Sequence, residues 1–266
     1  MLESIEIKNF KAIKSAKIKM TDLSVFVGNN GSGKSSVIEA LQLLQNALRF
    51  GLSTAFQDRW YGFDYIRNAA TDSIKSKDNS IGLTLRGKLN KKSFTYTVGF
   101  NTTRSGDLYI VSSEELKQGK EIIIEPKGKT LQLAEHKALF AVDLRNYILS
   151  WQFLCLEPEQ MYHPTQRDYS KERVRMKTSG GNLADFYRRL LDKPELYNLI
   201  HDKLRYVLPD LDYVGGEELA VQKQVYLFLT EYHTERISNS LAHRRFTKRP
   251  RIVSPLLKTI LGNTMM

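Results

Sequence analysis

Residues 23–48 read LSVFVGNNGSGKSSVIEALQLLQNAL, and they decide the fold. The run from Leu23 to Val27 is mostly apolar and ends at a glycine-rich turn, which predicts a buried strand covered on both faces. From Val37 onward, apolar residues recur at helical spacing and predict a helix with one apolar stripe. The stretch is therefore predicted to fold as a strand, a loop and a helix within an α/β domain.

The loop between these elements fits the pattern G-x-x-x-x-G-K-[ST] of a phosphate-binding loop. Its glycines let backbone N–H groups crowd a polyphosphate, and the helix N-terminus adds positive potential. Lys34 is expected to reach the β and γ phosphates of a bound nucleotide, and the Ser35 hydroxyl is expected to ligate Mg²⁺. The predicted nucleotide-binding residues of the loop are Gly28, Asn29, Asn30, Gly31, Ser32, Gly33, Lys34, Ser35 and Ser36.

The composition is that of a globular protein. With 266 residues and 41% hydrophobic content, the chain is long enough for one large domain or two small ones. It has no apolar run of bilayer-spanning length, and charges interrupt its N-terminus, unlike a signal peptide. We therefore expect a cytoplasmic protein without a membrane partner. The single cysteine, Cys155, cannot form an internal disulfide, and its apolar neighbours indicate core filling rather than chemistry.

The net charge of +11 is concentrated near the C-terminus. Residues 236–266 contain seven Lys or Arg and no Asp or Glu, which leaves +4 (11 minus 7) for residues 1–235. Five of the eight residues 244–251 are cationic and could bind phosphate backbones of DNA, although a simply solvated tail is the alternative.

Alternating patterns predict antiparallel strands elsewhere. Two strands are expected within residues 2–20, and a meander of about five strands is expected between residues 81 and 133. Residues 135–150 should be helical, and residues 151–164 should form a strand that runs into a proline-bounded loop. Two amphipathic helices should follow, with a break at Pro194.

The opening I-x-I-x-N-F-K-A-I and the loop after it resemble the start of ABC-class ATPases, especially RecF, SMC and overcoming-lysogenisation-defect relatives. The resemblance is dense over residues 2–48. It implies a P-loop NTPase fold with an antiparallel β layer and a small helical second lobe, and a head that sandwiches two ATP molecules between two copies. We predict a nucleotide-binding lobe over 1–150, a helical lobe over 151–215, and a return strand with a basic tail over 216–266.

The same resemblance suggests roles for residues outside the loop. A basic residue in the N-F-K turn lies near the nucleotide in such heads, so Lys11 is either a nucleotide contact or a solvated lysine. A glutamine at the join between lobes senses Mg²⁺ and the γ-phosphate, which makes Gln152 and Gln160 candidates. The segment 179–181, Ser-Gly-Gly, resembles the ABC signature. The overlapping residues 180–184, GGNLA, match better a different segment of these relatives, which opens a helix before the signature, and we favour this second interpretation.

The hydrophobic strand ending in Asp-Glu that completes such ATPases, the Walker B motif, is not found. LFAVD at 139–143 continues with Leu144, and YLFLTE at 226–231 has Thr230 where Asp should stand. No catalytic residue is therefore assigned. We expect either an N-terminal fragment or a chain read out of frame after about residue 241, a question for the coding DNA.

These patterns favour an ATPase head that couples ATP binding and hydrolysis to dimerisation through the nucleotide interface and to action on DNA or an effector protein. Whether the chain is an enzyme stays open, with ATP hydrolysis favoured by the resemblance. The alternatives are a non-hydrolysing ATP-binding switch or inactive fragment, and an unrelated P-loop enzyme such as a GTPase or small-molecule kinase. The sequence contains no Asn-Lys-x-Asp guanine motif.

Overall fold

The computed structural model describes residues 1–60, 62–68, 80–103, 108–125, 130–169, 175–219, 223–231 and 251–252. The chain divides into two compact units, Met1–Trp151 and Gln152–Met266. The strands of the first unit are β1 (Leu2–Phe10), β2 (Ile13–Lys19), β3 (Ile81–Leu89), β4 (Lys92–Thr102), β5 (Tyr109–Gln118) and β6 (Glu121–Ile124). Its helices are α1 (Lys34–Phe50), α2 (Leu52–Trp60), a 3₁₀ turn (Gln132–Ala134) and α3 (Leu139–Ser150).

The six strands of the first unit form one antiparallel sheet in the order β2-β1-β3-β4-β5-β6. Alternating residues face the core, and Ile5 and Ile7 of β1 lie opposite Leu85 and Leu83 of β3, all of them buried. The residues between them, such as Glu6, are only partly buried, so one face of the sheet is polar. The alternation in the sequence therefore identified this layer correctly.

Apolar helical side chains and one buried carboxylate complete the core of this unit. Leu43 and Leu44 of α1 are fully buried, and Phe56 of α2 is buried in contact with the ring of Phe100. Glu114 on β5 accepts hydrogen bonds from the Tyr96 hydroxyl at 2.8 Å and from two backbone N–H groups of the 3₁₀ turn. Burial raises the pKa of Glu114, although these hydrogen bonds act in the opposite direction.

The second unit combines helices with a smaller antiparallel sheet. Its elements are α4 (Pro158–Met161), β7 (Thr165–Gln166), α5 (Leu183–Leu190), α6 (Pro194–Val207), β8 (Leu211–Leu219), β9 (Gln224–Glu231) and β10 (Arg251–Ile252). Strand β9 pairs with β7, β8 and β10. Ala184 and Leu190 of α5 belong to the same buried cluster as Leu211 and Val225 of this sheet.

Several elements differ from the prediction. Residues 23–27 are not a buried strand, because their backbone pairs with no strand of the described ranges and Leu23, Val25 and Val27 face solvent. Leu131 precedes the 3₁₀ turn Gln132–Ala134 and Leu133 lies within it, so the predicted strand is not formed there, and residues 151–157 have no regular structure. Strand β8 was not predicted in the helical lobe, and residues 232–250 of the basic tail lie outside the described residues.

Candidate functional site

The phosphate-binding loop ends where helix α1 begins, at Lys34. Gly33 is the N-cap residue, with φ of 90°, and its carbonyl accepts the first helical hydrogen bond from Val37 N at 3.2 Å. Gly31 also has a positive φ, 80°. Both values lie in the left-handed region that residues with a Cβ rarely adopt, which accounts for glycine at these two positions. The predicted strand is missing, but the loop-to-helix turn has the predicted form.

The N-terminus of α1 has no negative group of its own among the described residues. Gly33 has no side chain with which to cap the helix, and the first turn contains no Asp or Glu. Residues 28–32 and Ser35 are exposed, so this end of the helix opens to solvent. An uncapped N-terminus of a 17-residue helix, preceded by glycines, presents N–H donors and positive potential to an anion.

Lys34 lies across the loop rather than extending into solvent. Its ammonium donates to the carbonyls of Gly28 and Asn29, each at 2.7 Å, and approaches the Ser32 hydroxyl at 3.4 Å. These bonds curl residues 28–34 around the ammonium. Among the described residues the positive charge has only neutral partners, so phosphate oxygens could replace the two carbonyls without breaking an ion pair.

The loop is held against the turn between β1 and β2. A Cβ built on Gly33 would lie 3.2 Å from Ile13 Cγ1, which shows how closely the two turns approach. In the same turn, the ammonium of Lys11 forms a half-buried ion pair with Glu39 of α1 at 2.7 Å. Lys11 is therefore neither remote from the loop helix nor simply solvated, and its contact with a nucleotide stays a prediction.

The far end of α1 is anchored by a residue that the sequence analysis missed. Gln45 is buried, and its amide donates to the carbonyls of Ile148 and Trp151, each at 2.9 Å, at the C-terminal end of α3. Arg49 adds a hydrogen bond to the carbonyl of Leu149 at 3.2 Å. The sequence carried one signal of this contact, a glutamine within an apolar helical stripe, because a buried amide requires hydrogen-bond partners.

Other candidate residues lie in the second unit. Gln160 is exposed on α4, and Gln152 is exposed in the irregular segment before it. The metal role of Gln160 stays a prediction. Gly180 has φ of 80°, and its carbonyl accepts a hydrogen bond from Leu183 N at 2.9 Å, where α5 begins. The segment 179–181 thus precedes a helix, as predicted from the likeness of GGNLA to a helix-opening segment of related ATPases.

The loop offers suitable groups for ATP and Mg²⁺. Its exposed N–H groups and the Lys34 ammonium are donors for phosphate oxygens, and the exposed Ser35 hydroxyl is an oxygen ligand of the kind that Mg²⁺ accepts. Ser36, in contrast, is buried, with 7% of its surface exposed. Among the described residues, no group of three or more His, Cys, Asp or Glu side chains could hold a metal ion.

A family model described as an AAA ATPase domain matches residues 1–184, which include the loop, the six-stranded sheet and the start of α5. A search of curated proteins found no match. Across the described ranges, no helix has both the length and the apolar content needed to cross a membrane.

Proposed function

Because the chain belongs to the AAA ATPase domain family, we propose that it is an ABC-type, RecF/SMC-like ATPase head that binds MgATP at residues 28–36. The observation that carries this proposal is the Lys34 ammonium, held by two loop carbonyls at the open N-terminus of α1. The β and γ phosphates of ATP would take the place of those carbonyls. The loop N–H groups would neutralise the α and β phosphates.

Ser35 is the residue we assign to the metal. When bound, Mg²⁺ would neutralise part of the charge of the phosphates. The Ser35 hydroxyl would hold the ion at the first turn of α1, and Lys11 in the neighbouring turn would be drawn from Glu39 toward the phosphates. Gln160 is a weaker candidate for the metal, because its support is the resemblance alone.

A metal-dependence experiment tests this assignment. ATP binding is measured by calorimetry in Mg²⁺ and in EDTA for the wild type, for Ser35→Ala and for Ser53→Ala, a control at an exposed serine of α2. The gain in affinity on adding Mg²⁺ should be lost in Ser35→Ala and kept in the control. If Ser35→Ala keeps the full gain, the metal assignment is wrong, and if the wild type binds no ATP, the proposed function is wrong.

We further propose that ATP drives dimerisation of the head and thereby its action on DNA or an effector protein. Sedimentation with and without ATP tests the dimer, because a nucleotide sandwich predicts a doubling of mass only when ATP is present. DNA contact through Lys and Arg predicts an affinity that falls steeply with salt and a smaller slope after deletion of the basic residues 244–251.

The alternative is a non-hydrolysing ATP-binding switch or an inactive fragment. It is favoured by the lack of an Asp-Glu strand in the sequence, since that carboxylate pair supplies the water-activating group in related ATPases. Phosphate release by purified protein separates the two functions. Intact ATP affinity without turnover supports the switch, and turnover that Lys34→Ala abolishes supports the ATPase.

A further inference from the structure

The connection between β1 and β2 holds a lysine in an unusual backbone conformation. Lys11, the first of the two residues between the paired Phe10 and Ile13, has φ of 48°. A short hairpin loop normally has glycine, asparagine or aspartate where a positive φ is needed, because longer side chains crowd the backbone there. Asn9 also has a positive φ, 55°. Residues 9–12, the Lys11 turn, therefore contain two residues in the left-handed region.

A short segment that follows α2 holds the Lys11 turn in place. Lys11 N donates to the Ile66 carbonyl at 2.6 Å, and Asn68 N donates to the Asn9 carbonyl at 3.1 Å. The side-chain amide of Asn68 donates to the Lys11 carbonyl at 2.5 Å. An unfavourable backbone conformation persists only where surrounding contacts determine it, and such conformations are concentrated at sites where function requires a fixed geometry.

Asn68 supplies the one of these three bonds that depends on a side chain. It is buried, with 7% of its surface exposed, and a buried amide is stable only when it is hydrogen-bonded. The bonds from backbone N–H groups would form with many residues at these positions. The bond to the Lys11 carbonyl, in contrast, requires a side-chain donor of this length, so the identity of residue 68 matters to the Lys11 turn.

The Lys11 turn directs its lysine to the helix that follows the phosphate-binding loop. The Lys11 ammonium lies 2.7 Å from the carboxylate of Glu39 on α1, in a half-buried ion pair. Ser35 and Glu39 are four residues apart on α1, so their side chains lie on the same face, one helical turn from each other. The ammonium therefore lies one helical turn from the residue that we assign to the metal.

We propose that Asn68 is a positioning residue of the nucleotide site, which fixes the Lys11 turn so that the Lys11 ammonium reaches the phosphates of bound ATP. This inference rests on the proposed function. Asn68 acts on the backbone of Lys11 and contacts neither phosphate nor metal. The direction of a Cα–Cβ bond follows the backbone, so a Lys11 that returned to negative φ would point its side chain in a different direction.

Fixing the turn before the nucleotide arrives also lowers the entropy cost of binding. A lysine on an unrestrained turn would lose backbone as well as side-chain freedom when it binds a phosphate. In this protein the turn is already hydrogen-bonded, and the Lys11 side chain is already ordered by Glu39. The ammonium has only to exchange one oxygen partner for another, so loss of the Asn68 amide should weaken ATP binding rather than abolish it.

A double-mutant cycle tests the proposal with the full chain. The dissociation constant of MgATP is measured by calorimetry for the wild type, Lys11→Ala, Asn68→Ala and the double variant. Each single substitution should raise this constant about tenfold, the size expected for one charge-assisted contact. The double variant should bind MgATP no more than about twofold more weakly than Lys11→Ala, because Asn68 acts through Lys11.

A matched control and a second measurement separate positioning from a general loss of stability. Gln45→Ala also removes a buried amide that donates to backbone carbonyls of the first unit, and it should leave the ATP affinity within about twofold of the wild type. Without nucleotide, hydrogen exchange at the Lys11 amide should be about tenfold faster in Asn68→Ala and unchanged in Gln45→Ala. If Asn68→Ala does not fold, Asn68→Ser, which keeps a hydrogen-bond donor, replaces it in both measurements.

Two kinds of failure are distinguishable. If the wild type binds no MgATP, the proposed function is wrong and the role of Asn68 is wrong with it. If the wild type binds MgATP but Asn68→Ala leaves the affinity unchanged, or weakens it equally with and without Lys11, the positioning role is overturned while the proposed function stands. An ATP affinity that Lys11→Ala does not change, or exchange at the Lys11 amide that Asn68→Ala does not accelerate, also overturns the positioning role alone.

Discussion

Replacing Lys34 by alanine tests the central feature of the site. In the nucleotide-free protein the ammonium makes two hydrogen bonds to carbonyls, each at 2.7 Å and both exposed to solvent. Water can replace these bonds, so Lys34→Ala should change the free energy of unfolding by less than about 1 kcal/mol. The fold should therefore survive the substitution, and denaturation monitored by circular dichroism would verify this.

The effect on ATP binding should be much larger. A hydrogen bond to a charged group contributes about 1.5–3 kcal/mol, and Lys34 would exchange two bonds to neutral carbonyls for bonds to phosphates. A net loss of about 3 kcal/mol corresponds to a roughly 100-fold increase in the dissociation constant. Calorimetric titration with MgATP measures this dissociation constant. The control is Lys92→Ala, which removes an exposed lysine at the start of β4. An affinity of Lys34→Ala within about threefold of the control would refute the assignment.

Three further predictions concern the stability of the first unit. Gly33→Ala should lower the thermal unfolding midpoint more than Gly31→Ala. Both glycines have a positive φ, but only at Gly33 would the new Cβ lie close to a neighbour, Ile13. Equal unfolding midpoints for the two variants would contradict this prediction. Gln45→Ala should cost about 1–3 kcal/mol in urea unfolding, since the carbonyls at the end of α3 lose a buried donor, whereas the exposed Gln57→Ala should change little. For Glu114, burial raises the pKa above 4.5, so its contribution to stability is fully present below about pH 4.5 and is lost as pH rises through the native pKa. The unfolding free energy of the wild type should therefore fall relative to that of Glu114→Gln as pH rises from about 4.5 through the native pKa of Glu114. A difference that does not change with pH would refute the raised pKa.

The local parts of the site were predictable from the sequence. Gly31 and Gly33 adopt left-handed backbone conformations, and α1 begins directly after the glycine-rich loop, as the motif predicts, because both features depend on residues within one turn. The strands of the six-stranded sheet were also predictable, since alternation of apolar and polar residues indicates which face is buried.

Contacts between distant residues were decided only by the tertiary structure. Gln45 bonds to Ile148, 103 residues away, and Lys11 pairs with Glu39, and no local pattern specifies such partners. Leu23–Val27 is the clearest case. Its composition predicts a buried strand, but a strand is buried only when another segment pairs with it and covers it, and no described residue does so. The amino-acid sequence alone determined the conformation that this segment favours, and the tertiary structure determined that it stays exposed, because hydrogen bonding and burial need a second segment.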